Sequence, residues 1–338
     1  MSALDDLLSQ DVDTKTAGFN AAKKVGKESY GILMSHRNIT SYSMLQSLHE
    51  CPRKYQIRRM QAEANTLTRI QSPTFAFGHA VGAGVAVYDQ TLDRRQAIWA
   101  AFLAWDVDLF ADEENRHGKR TGKSFHDAIW AIYEWENFHK NETDLAEYEV
   151  VHVEANLVVD FQDGQYYVGH VDELLRHRES GRYKVKENKT TSFLNVDPAI
   201  YSNSDQALSY AIVVDMLGGT EYDVMYTVYS STQQQWLQFS FVKSASKKAE
   251  WLQDQLLVHQ QLEQYEAINF FPKRGSACMN FNRRCEYYEN CDISSEKVFG
   301  KRFDALPVVD SIADIHAIEH VDFSTTLDEI VQRQKERL

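Results

Sequence analysis

Apolar residues recur at three- and four-residue steps through roughly the first 146 positions and at alternate positions after them, so helices are expected first and strands later. Met44, Leu45, Leu48, Cys51 and Tyr55 carry the helical step over Ser41 to Met60. Pro52 is the expected break there, because proline lacks the N–H that a helix interior uses. The small-residue run Phe75 to Tyr88, FAFGHAVGAGVAVY, predicts a closely packing helix. Amphipathic helices follow over Arg94 to Phe110 and Ser124 to Lys140, parted by a basic loop over His117 to Lys123. Their Trp99, Trp105, Trp130 and Trp135 are expected in the core.

From Glu147 the period is two. EYEVVHVEANLVVDF reads as a long strand and Asp163-Gly164 as a tight turn. Tyr166 to Thr191, YYVGHVDELLRHRESGRYKVKENKTT, reads as two strands joined at Glu179-Ser180-Gly181. A helix over Asp205 to Leu217, strands over Tyr222 to Ser230 and Gln235 to Val242, and a helix over Ala245 to Ala267 come next. Thr326 and Glu329 form a capping-box pattern that predicts a last helix over Leu327 to Arg337. Helices followed by a sheet with helices interposed predict an α/β or α+β class built on a central mixed sheet. The expected organisation is a flexible acidic tail over 1–35, a main domain over 36–300 and an acidic tail with a short helix over 301–338. Within that domain the helical part covers about 90–145 and a cysteine segment 270–295.

A chain of 338 residues that is 43% hydrophobic can bury a substantial core. No run of about eighteen apolar residues occurs, and the N-terminus lacks the basic-then-apolar order of a signal peptide. The expectation is a soluble, cytoplasmic protein with no membrane partner. The formal charge of -13 argues at first against nucleic acid, because phosphate contacts need lysine and arginine. Its distribution changes that picture, since residues 1–14 hold four acids and no base and residues 304–338 hold eight acids against three bases. Basic clusters lie between these tails: Arg53, Lys54, Arg58 and Arg59; Lys119, Arg120 and Lys123; Lys273 and Arg274; Arg283 and Arg284. Composition therefore permits DNA binding. The acidic tails are suited to recruiting a recombination or replication partner, or to repelling DNA from all but one channel.

If the central hairpin folds about the Glu179–Ser180 bond, Asp172 falls opposite Glu187, and Lys189 shares a face with Glu187. Two carboxylates and an ammonium then converge, which suits a hard divalent cation and charge developing on a phosphate. A solvated charged face is the plain alternative. His79 is a candidate to complete such a site with manganese or magnesium, or else a packed imidazole. Gln206 and Tyr210, four apart, project from one face of the next helix, where they suit a phosphodiester backbone or a merely polar helix face. Glu154 is a further acid candidate. Cys278, Cys285 and Cys291, with Cys51, would fill one four-ligand site. The spacing lacks CxxC knuckles, which favours an iron-sulfur cluster, with zinc as its rival and unligated thiols as the third reading.

The ordered set SYSMLQSLHECPRKY, FGHAV, GHVDELL, ENKTT, QALSY and FPKRGSACMNFNRRCEYYENC resembles the PD-(D/E)XK nuclease superfamily. Within it, the likeness is to RecB-type exonucleases that carry an iron-sulfur cluster, including nucleases of CRISPR adaptation and small phage exonucleases. It spans roughly residues 40 to 295. The resemblance implies a restriction-endonuclease-like sheet, with Mg2+ or Mn2+ held by His79, Asp172, Glu187 and the main-chain carbonyl of Asn188. It implies that Lys189 positions the attacking water or stabilises the phosphate, and that Gln206 and Tyr210 support the site or hold DNA. Cys51, Cys278, Cys285 and Cys291 would hold a [4Fe-4S] cluster stapling the start of the domain to its end. Two departures stand out. Lys184, Lys186 and Asn188 replace the usual apolar residues, so their face is expected open to solvent, DNA or a partner; and Glu187 stands where aspartate is common. The implied function is a metal-dependent exonuclease acting on single-stranded DNA or DNA ends in phage or bacterial recombination or repair. The alternatives are a nuclease-fold adaptor without cleavage and a structure-selective endonuclease.

Overall fold

The computed structural model describes residues 33–64, 73–105, 123–162, 164–219, 224–280, 283–289, 291, 295–318 and 323–336. After the short strand β1 (Ile39–Thr40), the first helical stretch forms two helices, α1 (Tyr42–Glu50) and α2 (Pro52–Glu63), broken at Cys51. Pro52 sits in the first turn of α2, where its missing N–H has no intrahelical partner to lose. Helices α3 (Pro73–Thr91), α4 (Arg94–Ala104) and α5 (Phe125–Glu142) follow. Small residues let α3 pack closely: a Cβ on Gly84 would lie 2.3 Å from Ile132 Cδ1 of α5. Trp105 and Trp135 are buried as expected, but Trp130 is exposed, stacked on Tyr133 at 5.6 Å on the outer face of α5.

The second half supplies β2 (Tyr148–Asp160), β3 (Tyr166–His177), β4 (Tyr183–Thr191), α6 (Ala199–Ser202), α7 (Asp205–Met216), β5 (Val224–Ser230), β6 (Gln235–Phe241) and α8 (Ala245–Ala267). A small hairpin, β7 (Met279–Asn280) and β8 (Arg283–Arg284), leads to α9 (Ser295–Phe299), α10 (Ile312–Ile318), β9 (Phe323–Thr326) and α11 (Leu327–Lys335). The central sheet runs β6-β5-β4-β3-β2-β9, with β1 joined to β3. It is mixed, as predicted: β4–β5, β2–β9 and β1–β3 are parallel and the other pairs antiparallel. One face packs under α3 and α5 through Phe77, Val81, Ile132 and Trp135. The other packs under α7, α8 and α11 through Ala211, Trp251 and Ile330.

The described residues of both expected tails contribute to the fold. Leu33 and Met34 are buried. The capping box of Thr326 and Glu329 forms as predicted, and the strand just before it, unforeseen in the sequence, pairs with β2 from Leu157↔Phe323 to Asp160↔Thr326. The predicted features over residues 1–32 and 117–122, and at Asp163, lie outside the described residues. Arg59, a member of the first basic cluster, is buried and donates to the Ile39 carbonyl at 2.6 Å. No described helix is long and apolar enough to cross a membrane.

Candidate active site

The hairpin register is the one expected: Glu173↔Lys186, Leu174↔Val185, Leu175↔Lys184 and Arg176↔Tyr183 pair, which sets Asp172 opposite Glu187. Beyond that point β3 and β4 part. β2 occupies one side of β3 throughout, so β1, pairing at Tyr166 and Tyr167, and β4, pairing from Glu173, share the other side. Between them residues 168–172 have no strand partner on that side among the described residues, and the sheet opens into a fork. Asp172 lies at its apex, where Oδ2 accepts the Asn188 main-chain N–H at 2.7 Å. The N–H and C=O of one strand residue point the same way, so the Asn188 carbonyl also faces the fork. Glu187 Oε1 accepts the Asp172 N–H at 3.4 Å, and its Oε2 accepts Lys189 Nζ at 2.7 Å.

Glu187 is 1% exposed, and burial, reinforced by the Asp172 charge, pushes its carboxyl up to about 7 against the pull of Lys189. Burial opposes the Lys189 charge, but Glu187 and Asp172 outweigh it and hold the ammonium above its usual range. The donor set fits a hard divalent cation. Its atoms are oxygens, and a cation between the two carboxylates would relieve the repulsion that raises Glu187. Tyr210 closes one wall of the fork by donating to the His170 carbonyl at 2.6 Å, and Gln206 Nε2 donates to the Tyr210 hydroxyl at 3.0 Å. Tyr210 is buried, 2% exposed, against this wall. The ring needs glycine at 169, where a Cβ would lie 2.7 Å from Tyr210 Cε1.

His79 is exposed on α3, beside Gly78, whose added Cβ would lie 3.4 Å from Thr190 Oγ1 of β4. Among the described residues no three His, Cys, Asp or Glu side chains form a group able to hold a metal ion. The structure thus joins Asp172, Glu187, Asn188 and Lys189, with Gln206 and Tyr210 as wall, and does not assemble His79 with the two acids. Glu154 falls between the pairs Val153↔Glu173 and Ala155↔Val171, opposite Asp172, in a left-handed backbone with φ 55°.

Comparison with known families decides the kinship: the PD-(D/E)XK nuclease superfamily matches residues 39–292. The chain belongs to that superfamily. Membership carries nuclease chemistry dependent on a divalent metal such as Mg2+ or Mn2+, with DNA as the substrate the fold suggests. A solved structure of SSO0001 aligns with 62% of this chain and 84% of its own at 11% identity and a TM-score of 0.26. No curated protein matches the chain.

The far face of the nuclease's β4 is closed, not open as its lysines suggested. Lys184 lies over the Tyr148 ring at 4.3 Å and 3.6 Å from Asp144. Lys186 is fully buried, bound to Glu173, to Asp89 Oδ2 at 2.8 Å and to Asn188 Oδ1 at 2.9 Å, and stands 4.9 Å from the Trp135 ring centre. Burial opposes its charge, but Asp89 and Glu173 more than offset that. Alternation along a strand shows which residues share a face but not what covers it. Asp89, an acid near the end of a largely apolar helix, was the one sequence signal of this arrangement.

None of the four cysteines is in a disulfide. The β7–β8 hairpin sets Cys278 and Cys285 at its base, with the Cys285 N–H donating to the Cys278 carbonyl at 2.9 Å. Burial raises the Cys291 thiol, and nearby Cys51 and Cys278 raise it further. The segment is moored to the α1–α2 junction by Arg274 Nη1 to the His49 carbonyl at 2.7 Å and by the Arg53 N–H to the Pro272 carbonyl at 3.2 Å. All four thiols thus share one neighbourhood, though not as a ready-made ligand group among the described residues.

Proposed function

We propose that this nuclease hydrolyses DNA from strand ends, with a divalent metal held by Asp172, Glu187 and the Asn188 carbonyl, and with His79 as the candidate further donor. The fork carries this reading: two carboxylates, a main-chain carbonyl and an ammonium meet at one opening in the sheet. When bound, Mg2+ or Mn2+ supplies Lewis acidity toward the phosphate and lowers the pKa of a water. Asp172 is fixed by the Asn188 N–H, and Glu187 holds Lys189 in place. Lys189, its side chain 33% exposed, reaches solvent beside the buried Glu187, so it orients the water or meets the charge growing on phosphate.

A preference for ends is supported by the rim. Phe193 and Leu194, 65% and 61% exposed, follow the lysine strand, and Ser230 Oγ fixes the Phe193 carbonyl at 3.0 Å. Gly78 of α3 adjoins Thr190 while Asp89 binds Lys186, so α3 runs antiparallel to β4 and brings exposed Phe75 to the same end. Aromatic side chains beside a cation suit unpaired bases, whose stacking is worth ~1–3 kcal/mol each. Such ends arise in recombination and repair.

With Mg2+ or Mn2+, linear end-labelled DNA is expected to be degraded and closed circular DNA spared. Asp172→Ala and Lys189→Ala are expected to lower the rate at least ~100-fold while remaining folded. Cleavage of circles at the linear rate would make the protein an endonuclease. A second reading is a DNA-end or protein adaptor without cleavage, since among the described residues the two acids are not joined by a third His, Cys, Asp or Glu into a metal-holding group. DNA binding with no cleavage under any divalent metal would establish it. For the cysteines we propose a [4Fe-4S] cluster, with zinc as its rival; visible absorption and metal analysis of anaerobically purified protein distinguish them.

A further inference from the structure

Asn188 is gripped on the face of the sheet turned away from the fork. Its Oδ1 accepts from Lys186 Nζ at 2.9 Å and from Thr227 Oγ1 at 2.6 Å, and its Nδ2 donates to Glu173 Oε1 at 2.8 Å. Lys186 is in turn held by Asp89, whose Oδ1 accepts the Trp135 indole N–H at 2.7 Å and faces His139 Nε2 at 3.8 Å. Helix α3, helix α5 and strands β3, β4 and β5 all contribute to this one cluster. A buried ion pair is a poor source of stability, since well-packed apolar side chains of similar volume do as well or better. What the cluster supplies that an apolar core would not is directionality: three hydrogen bonds fix the rotation of residue 188 where β4 has lost β3 as a ladder partner. That residue's other face gives its N–H to Asp172 and turns its carbonyl into the fork.

We propose that Lys186, Asp89, Glu173 and Thr227 are positioning residues for the metal site, acting through the backbone of Asn188 from the opposite side of the sheet. The proposal rests on the reading that Asp172 and Glu187 bind the metal. Groups that orient metal ligands typically change affinity ~10–100-fold when lost. Mn2+ binding to the full-length protein without DNA, read by isothermal titration calorimetry, tests it alongside thermal melts with and without Mn2+.

Lys186→Met is expected to weaken Mn2+ about 10-fold or more, and Thr227→Val, which leaves every charge in place, about 3-fold. Both variants should gain less thermal stability from Mn2+ than the wild type. Their cleavage rate should recover as Mn2+ is raised, as a weakened site would and an unfolded protein would not. If Lys186→Met does not fold, Thr227→Val carries the test. Folded variants that bind Mn2+ as tightly as the wild type, while Asp172→Ala does not bind it, would overturn the positioning role alone. If Asp172→Ala itself binds Mn2+ like the wild type, the metal site has been misplaced and the proposal falls with it.

Discussion

Buried histidines and buried acids pull the stability of this protein in opposite directions as pH changes. His139, His170 and His259 are each held down to about 4, chiefly by burial, so they stay neutral in the fold while the unfolded chain protonates near 6.5. Their contribution is complete above about pH 6.5 and is lost as pH falls toward 4. Glu173, Glu187 and Glu266 are pushed up to about 7, first by burial, so their contribution is complete below about 4.5 and is lost as pH rises through 7. Glu266 lies away from the fork, 3.5 Å from Arg37, and isolates one such acid. The stability of Glu266→Gln relative to wild type is expected to rise by up to ~3 kcal/mol between about pH 4.5 and 7, read from urea melts across that range. A difference that does not vary with pH would show that Glu266 titrates normally. None of these shifts was legible in the sequence, because each depends on burial that local composition does not specify. The meeting of Asp172, Glu187 and Lys189 was legible, since it follows from a strand period of two and the position of one turn.

At the scale of elements, that turn closes with Gly181 at φ +69°, a left-handed conformation that glycine adopts without a Cβ penalty. It fixes the register of β3 on β4, and with it the fork. The cover over the far face depends on the approach of α3 to α5. Gly84→Ala would drive a methyl into Ile132 and cost ~1–3 kcal/mol in a denaturant titration. Gly169→Ala would displace Tyr210 from the wall of the fork, with activity falling more than stability. Activity unchanged in that variant would remove Tyr210 from the working site. Helix positions were readable from periodicity, as in α8, whose span Ala245–Ala267 is the predicted one. The buried side of Lys184 and Lys186 was not, because polar residues in a strand look alike whether water or a helix lies over them.

For the whole molecule, the unforeseen feature is β9. Its sequence, FSTT, is short and polar at three of four positions within an acidic stretch, and its partner β2 lies more than 160 residues away, beyond the reach of local patterning. Ending the chain after residue 322 would bare the edge of β2 from Leu157 to Asp160 and leave the buried seat of Ile330 empty. The expected result is a loss of several kcal/mol or outright aggregation, measured by melting and light scattering. A soluble truncation with unchanged melting would show that β9 is dispensable. The same strand bears on how the protein is made. Since β2 is translated long before β9, a nascent chain still threaded through the ribosome at residue 323 has one border of its framework unzipped, and the finished architecture arises only once that late segment emerges.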